Sequence, residues 1–141
     1  MSKESILRTS ITEKVLHFKQ PAGTSRGTYT TRRSWFITLT DENGRQGIGE
    51  CAPLPNLSCD DIPDYAEKLS TFCESYISNL SAANPLPPSS FLLPRSILTP
   101  HSTLPTPQDY PSMLFGLETA LLNLQVGSTM LFDTPFGRGE E

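Results

Sequence analysis

The feature that most limits the fold of this 141-residue chain is a proline-dense segment. Residues 84–109, NPLPPSSFLLPRSILTPHSTLPTPQD, hold seven of the thirteen prolines. Proline lacks the backbone N–H that helices and sheets require, so this density excludes regular structure over most of the segment. We expect an extended loop there, with regular elements before and after it. A chain of this length is enough for one domain with a modest core.

The first third of the sequence predicts β structure. Residues 4–19, ESILRTSITEKVLHFK, alternate apolar and polar side chains, but the alternation breaks between Ile11 and Leu16. Such a break in parity is typical of a β-bulge or a bend. We therefore predict a first strand with an irregularity in that interval.

Two further strands follow and are joined by a turn. Residues 28–40 predict a strand that places Trp35, Ile37 and Leu39 on one face. Asn43-Gly44 then favours a hairpin, because both residues tolerate positive φ, and QGIGEC predicts the return strand. Three consecutive strands with one covered face indicate an antiparallel meander.

A helix is predicted over 61–80, with apolar residues recurring at spacings of three and four. Asp60 or Asp61 would cap it, and Pro63 would lie in its first turn. This apolar stripe would pack on the sheet, and it includes Ile62, Tyr65, Leu69, Phe72, Cys73, Tyr76, Ile77 and Leu80.

A second helix is predicted over 112–126, capped by Ser112 and ended by Gly127. Its one charge is Glu118, so we expect it to be buried on most sides. Gly116 and Ala120, four residues apart, would let another backbone approach closely. Strands followed by helices predict an α+β domain.

Composition argues against several functions. The net charge is −4 and the pI about 5.1, which argues against a nucleic-acid partner. No apolar run approaches the roughly 20 residues needed to cross a bilayer, and the N-terminus lacks a secretory h-region, so we predict a cytoplasmic protein without membrane contact. Cys51, Cys59 and Cys73 show no CxxC pair, which predicts reduced thiols rather than disulfides or a metal site.

Catalytic motifs are scarce. GIGE, at Gly47 to Glu50, lacks the third glycine and the helix of a dinucleotide site. His17 and His101 are far apart in sequence, and structural roles are favoured for both and for Glu50. We predict no catalytic residue and no metal ligand in the chain. Two candidate binding loops remain, at 20–27 and 51–59, and the meander could bring them to the same end of the domain.

The series AGTSRG…RRSWFITLTDENGRQGIGECAPLPNLSCDD…PSMLFGLETALLNL resembles the N-terminal capping domain of the enolase superfamily. Within that superfamily it is most similar to the o-succinylbenzoate synthases of the menaquinone pathway. The order and spacing of the pieces carry the likeness, which spans most of the chain except the proline-rich stretch.

The resemblance implies a division of labour between two domains. A β/α barrel would carry catalytic lysines and the carboxylates that hold Mg²⁺, while this domain would close over a small carboxylate substrate. AGTSRG resembles a lid loop, with Gly23 and Gly27 as hinges and Thr24, Ser25 and Arg26 near substrate. CAPLPNL resembles the second lid loop, whose apolar walls would be Leu54 and Leu57.

The barrel itself is not in this sequence, because a barrel needs roughly 200 residues or more. The resemblance therefore implies a fragment, with a lid domain over 1–126 and the start of a linker into the barrel over 127–141. The fragment would be inactive alone and would bind no Mg²⁺. Two alternatives stay open: the lid of an N-acylamino acid racemase or dipeptide epimerase, and a stand-alone binding module that recruits a partner through the proline-rich loop.

Overall fold

The computed structural model describes residues 7–83, 109–128, 130 and 133–140. The proline-rich loop expected over 84–109 and the start of the first predicted strand lie outside these residues, Asp109 excepted. The regular elements are β1 (Arg8–Thr24), β2 (Gly27–Thr40), β3 (Gln46–Cys51), α1 (Tyr65–Ala83) and α2 (Pro111–Val126). The strands form one antiparallel sheet in the order β1-β2-β3. The predicted α+β meander is confirmed, and the described residues contain no β/α barrel.

The irregularity in β1 lies further along the strand than the sequence predicted. Pairing runs without a shift from Arg8–Thr40 to His17–Thr31 and resumes at Ala22–Tyr29. The predicted bulge between Ile11 and Leu16 is therefore wrong, and the shift falls between His17 and Ala22. β1 is an edge strand and is exposed from Thr12 onward. Its side chains there do not pack on the core, so a break in the apolar alternation does not indicate a bulge.

The hairpin between β2 and β3 is confirmed, but its turn depends on an aspartate. Of the Asn43-Gly44 pair, only Gly44 has a positive φ, at 79°. The Asp41 carboxylate accepts the N–H groups of Asn43 and Arg45, each at 2.9 Å, and its Oδ2 also accepts the Arg45 Nε–H at 2.8 Å. These bonds fix the turn through a side chain that mimics a backbone acceptor.

The core lies between the sheet and the two helices. The predicted inward face of β2 is confirmed, since Trp35, Ile37 and Leu39 are all buried. The ring centroids of Trp35 and Tyr65 are 4.3 Å apart. The remaining core side chains are apolar residues of β3, α1 and α2: Cys51, Leu69, Phe72, Cys73, Met113, Leu117, Ala120 and Leu124.

Both helix starts differ from the prediction for one shared reason. α1 begins at Tyr65 rather than 61, so Pro63 precedes the helix. The buried Asp60 carboxylate instead accepts the Ser112 N–H at 2.7 Å and the Ser112 hydroxyl at 2.5 Å. Ser112 is therefore not the N-cap of α2. The N-cap is Tyr110, which makes no side-chain capping bond, and Asp60 supplies the missing acceptor from a distant loop.

The C-terminus of α2 ends as predicted. Gly127 has φ 74°, and its N–H donates to the Asn123 carbonyl at 2.8 Å. The Asn123 side chain also accepts the Ile48 N–H at 2.8 Å, on the outer edge of β3. That bond satisfies one backbone donor that an edge strand leaves unpaired.

Small residues let α2 lie directly on β3. A Cβ on Gly47 would stand 2.6 Å from Leu124 Cβ, and a Cβ on Gly49 would overlap the backbone of Gly116. The predicted close approach at Gly116 and Ala120 is confirmed, and β3 is the backbone that approaches. The glycines of GIGE thus serve packing rather than nucleotide binding.

α2 is less buried at Phe115 than its composition predicted. Its buried residues lie on the side toward β3, whereas Phe115 is 67% exposed and Glu118 is half-buried. Between Ser112 and Leu124 the other residues are buried or half-buried, so the expectation of burial on most sides fails only at Phe115. Neither α1 nor α2, in the part of the chain that the structure describes, is long and apolar enough to cross a membrane.

Candidate functional site

The two candidate binding loops meet at one end of the domain. The first is shorter than predicted, because β1 extends to Thr24 and β2 begins at Gly27. Only Ser25 and Arg26 separate the strands, and Ala22, Gly23, Thr24 and Gly27 pair within the hairpin. The Thr24 hydroxyl donates to the Gly27 carbonyl at 3.1 Å and accepts the Arg26 N–H at 3.2 Å. The tip is therefore an ordered turn.

The second loop follows β3 and carries its own hydrogen bonds. The Leu54 N–H donates to Ser58 Oγ at 2.8 Å, and the Asn56 N–H donates to Asp61 Oδ2 at 2.9 Å. The Leu57 N–H returns to the Leu54 carbonyl at 3.1 Å. Asn56 has φ 61°, a left-handed conformation that asparagine tolerates. These bonds hold residues 52–61 in one conformation.

Three side chains of the hairpin and β2 bind backbone carbonyls of the second loop. Each donor lies on the strand side and each acceptor on the loop side. The pairs are Arg26 Nη1 to Asn56 O at 3.1 Å, the Tyr29 hydroxyl to Pro55 O at 3.3 Å, and Arg32 Nη2 to Ala52 O at 2.5 Å. The prediction that the meander brings the two loops to one end is confirmed.

A cavity of about 210 Å³ lies between the two loops. This volume is several times the roughly 30 Å³ share of one water molecule in the liquid, so the cavity has room for part of an organic ligand. Its walls are mainly apolar, although Arg32 and two threonines are among the residues that line it. The lining residues are Phe18, Ala22, Thr24, Tyr29, Thr31, Arg32, Leu54 and Pro55.

The six residues predicted to meet substrate are placed unequally. Thr24 and Leu54 line the cavity. Arg26 is exposed at the hairpin tip and is bonded to the second loop, while Leu57 is 55% exposed on that loop. Gly23 and Ser25 lie on the exposed hairpin without lining the cavity.

The two proposed hinge glycines also differ. Gly27 has φ 140°, which suits glycine. Gly23 pairs with Thr28 as an ordinary strand residue, and its role as a hinge stays a prediction.

Sequence reasoning missed Tyr29 and Arg32 as parts of the site. Arg26, Arg32 and Arg33 are close in sequence, yet Arg33 forms an exposed ion pair with Glu13 at 3.0 Å while Arg32 turns to Ala52. Neighbouring residues of a strand point to opposite faces, and that alternation was the available signal. The acceptors could not be found this way, because they are backbone carbonyls.

A buried polar cluster lies beneath the start of α2. The Tyr65 hydroxyl lies 2.6 Å from Ser112 Oγ, which donates to Asp60. Burial raises the pKa of Cys51 to about 12, an effect that a hydrogen bond with Tyr65 partly offsets. The thiol therefore stays protonated at neutral pH and is not a nucleophile.

The site offers binding groups rather than catalytic ones. No three His, Cys, Asp or Glu side chains are grouped to hold a metal ion within the described ranges. His17 pairs with Thr31 in the sheet, Glu50 is exposed on β3, and His101 lies outside the described residues.

The fold and the paired loops define an N-terminal α+β domain of the enolase-superfamily type. A member of the enolase superfamily from Enterococcus faecalis V583 superposes with a TM-score of 0.57 at 19% identity, covering 91% of this chain and 32% of its own. The o-succinylbenzoate synthase of Thermosynechococcus elongatus BP-1, whose structure has Mg in the active site, superposes with a TM-score of 0.50 at 24% identity. That match covers 82% of this chain and 29% of the synthase. Identities this low show the fold alone.

Sequence comparison gives the family. The family described as MenC, N-terminal domain, matches residues 22–101. An o-succinylbenzoate synthase of Desulfotalea psychrophila is 34% identical over 142 residues, which cover 89% of this chain. This chain belongs to the MenC N-terminal domain family, and the resemblance seen in the sequence is confirmed. This chain spans 37% of the length of that synthase.

Proposed function

We propose that this domain caps the substrate site of a cytoplasmic, Mg²⁺-dependent enzyme of the o-succinylbenzoate synthase type. The reaction would be the dehydration of a cyclohexadiene carboxylate to o-succinylbenzoate, a step of menaquinone synthesis. The 34% identity to one such synthase supports this reaction. The three cysteines, all of them free, support a reducing compartment.

One observation carries the proposal. The hairpin tip and the 52–61 loop are bonded to each other and enclose a mainly apolar cavity at one end of the domain. Paired loops on a rigid sheet are suited to enclose a ligand and exclude water from it. The other domain would supply the chemistry.

The chain's own residues would bind and orient the substrate. Leu54 and Phe18 give the cavity apolar walls for a ring. Arg26 donates one N–H to Asn56 O, and its other guanidinium N–H groups remain at the exposed tip. An arginine there suits a carboxylate, because the planar guanidinium matches its geometry.

The Mg²⁺ of the proposed enzyme would be bound by the second domain. Within the described residues of this domain, no three metal-ligating side chains are grouped.

We propose that the second domain covers Phe115, which is 67% exposed on α2. Ile48 is 51% exposed on β3, but it alternates with Gly47 and Gly49, which face α2, so it lies on the other face of the sheet. Large apolar side chains left in solvent favour association. The chain alone should therefore bind a hydrophobic dye or self-associate, whereas a stand-alone module should stay monodisperse.

The test is a domain exchange. The N-terminal domain of the Desulfotalea psychrophila synthase is replaced by this chain, and the formation of o-succinylbenzoate is followed spectroscopically. We expect turnover by the chimera and none by the 141-residue chain with Mg²⁺. Arg26→Met should raise KM in the chimera, and Arg33→Met, which removes an exposed ion pair on β2, is the matched control.

Two results would contradict the proposal. One is a folded chimera without dehydratase turnover, and the other is turnover by the 141-residue chain alone.

A further inference from the structure

Arg32 has an unusual place in the site. It is half-buried on β2, donates to the Ala52 carbonyl at 2.5 Å, and also lines the cavity. Hydrogen bonds from a charged donor are about twice as strong as neutral ones. The neighbouring Arg33 forms only an exposed ion pair. Arg32 is thus the strand residue best suited to hold the loop.

Ala52 is the first residue of the loop. β3 ends at Cys51, which pairs with Trp35, so the sheet fixes the chain up to that point. Beyond Ala52 the loop is fixed by its own hydrogen bonds, through Ser58 and Asp61. A bond at Ala52 therefore sets the direction in which the loop leaves the sheet and supports the loop's own bonds, of which the Asn56–Asp61 bond is exposed to solvent.

The hairpin depends on its own bonds to the loop as much as the loop depends on Arg32. Past the register shift at His17–Ala22, only three residue pairs join the two strands up to the tip. An isolated two-stranded ribbon is marginally stable in water. The bonds from Arg26 and Tyr29 to the loop reach the part of the hairpin that the rest of the sheet does not support.

We propose that Arg32 is a positioning residue that makes the hairpin tip and the 52–61 loop one unit. Through Ala52 it fixes the loop, and the loop in turn supports the hairpin through Asn56 and Pro55. The two walls of the cavity then open and close together rather than separately. The consequence for an enzyme rests on the proposed function, but the coupling itself is a property of this domain.

The test is amide hydrogen exchange on the whole 141-residue chain. Arg32→Met keeps an unbranched apolar stem and removes the donors. We expect roughly tenfold faster exchange at the bonded amides of Leu54, Asn56 and Leu57, and also across 22–28, where nothing was changed. Amides of α2 should be unaffected, and Arg33→Met should alter neither loop nor hairpin.

Arg32→Lys separates positioning from general loss of packing. It keeps the charge and one donor but shortens the reach, so exchange should be intermediate at both places. If Arg32→Met unfolds the chain, Tyr29→Phe takes its place and should speed exchange on both sides of the contact. Faster exchange in the loop with an unchanged hairpin, for the variant that folds, would overturn the proposal.

The enzyme assay is read separately. In the domain-exchange chimera, Arg32→Met should raise KM more than it lowers kcat, because a disordered wall must be ordered when substrate binds. Coupled exchange in the 141-residue chain supports the positioning role even if the chimera is inactive. An inactive chimera counts against the proposed function alone.

Discussion

The contact between β3 and α2 and the contact between the hairpin and the 52–61 loop are built in opposite ways. The first is a steric fit in which Gly49 and Gly116 bring two backbones together without side chains between them. The second is a set of side-chain bonds to carbonyls around a cavity. The first has one arrangement because close-packed backbones cannot slide, whereas the second can open one bond at a time.

This difference separates stability from binding. The β3–α2 contact belongs to the core, and changes there should alter the free energy of unfolding of the whole domain. The hairpin–loop contact encloses the candidate site, and changes there should alter local opening more than global stability. Changes at each contact, measured by global unfolding and by local amide exchange, can test this division.

Alkaline pH should have the largest effect, because it acts on several buried groups of the core. Burial raises the pKa of Cys51 and of Cys73 from 9.0 to about 12, and that of Tyr76 from 10.0 to about 12. The unfolded chain releases these protons near the usual values, whereas the folded chain keeps them. The folded state thus binds more protons from about pH 9 to 12, and the free energy of unfolding falls as pH rises through that window.

Urea denaturation at intervals from pH 7 to 11 measures this slope. Cys73→Val should flatten it, since one of the buried thiols is then gone. A free energy of unfolding that stays constant above pH 9 would show that the core does not hold these protons.

Gly49→Ala tests the steric contact itself. The new Cβ would overlap the backbone of Gly116, and a backbone cannot move aside as a flexible side chain can. We expect a loss of about 3 kcal/mol or more in the free energy of unfolding, at the upper end of overpacking effects. Gly23→Ala is the matched control: nothing lies within 4 Å of its Cβ position, and it should change stability by less than about 0.5 kcal/mol. Equal effects of the two variants would remove the distinction between the two contacts.

Asp60→Ala tests the bond that joins the second loop to α2. It leaves the Ser112 N–H and hydroxyl without their buried acceptor. We expect a loss of about 2 kcal/mol, measured by thermal or urea unfolding. Asp61→Ala, which removes an exposed acceptor for the Asn56 N–H, should cost less than about 1 kcal/mol. A neutral Asp60→Ala would mean that α2 finds another cap.

Tyr29→Phe should have the smallest effect on global stability. It removes one hydroxyl bond to Pro55 and keeps the ring that lines the cavity. We expect a loss of about 0.5 kcal/mol in unfolding free energy, with faster amide exchange limited to the hairpin and the loop. A loss as large as that of Asp60→Ala would place this contact in the cooperative core instead.

Much of the fold could be predicted from local pattern. The inward face of β2, the hairpin at Gly44 and the small-residue contact of Gly116 were all readable, because each depends on neighbours a few residues away. The position of the bulge was not, because β1 is an exposed edge where apolar parity carries no constraint. The helix starts were misplaced since Asp60 serves a helix that begins far along the chain.

Only part of the candidate site could be predicted from the sequence. The two loops were identified, with Thr24 and Leu54 among the cavity residues, but Arg32 and Tyr29 were missed. A side chain that binds a carbonyl leaves no trace in residue type at the acceptor, since every residue has a carbonyl.

The three strands, the two helices and the family of this chain could be predicted from the sequence, because periodicity and motif order can be recognised without a structure. The pairing of polar groups could not be predicted: Asp60 binds Ser112 across 52 residues, and Arg32 binds Ala52 across 20. The physical reason is that a buried or half-buried polar group must find a partner wherever packing brings one. The partner can lie at any distance along the chain, because the packing of the backbone decides which groups meet.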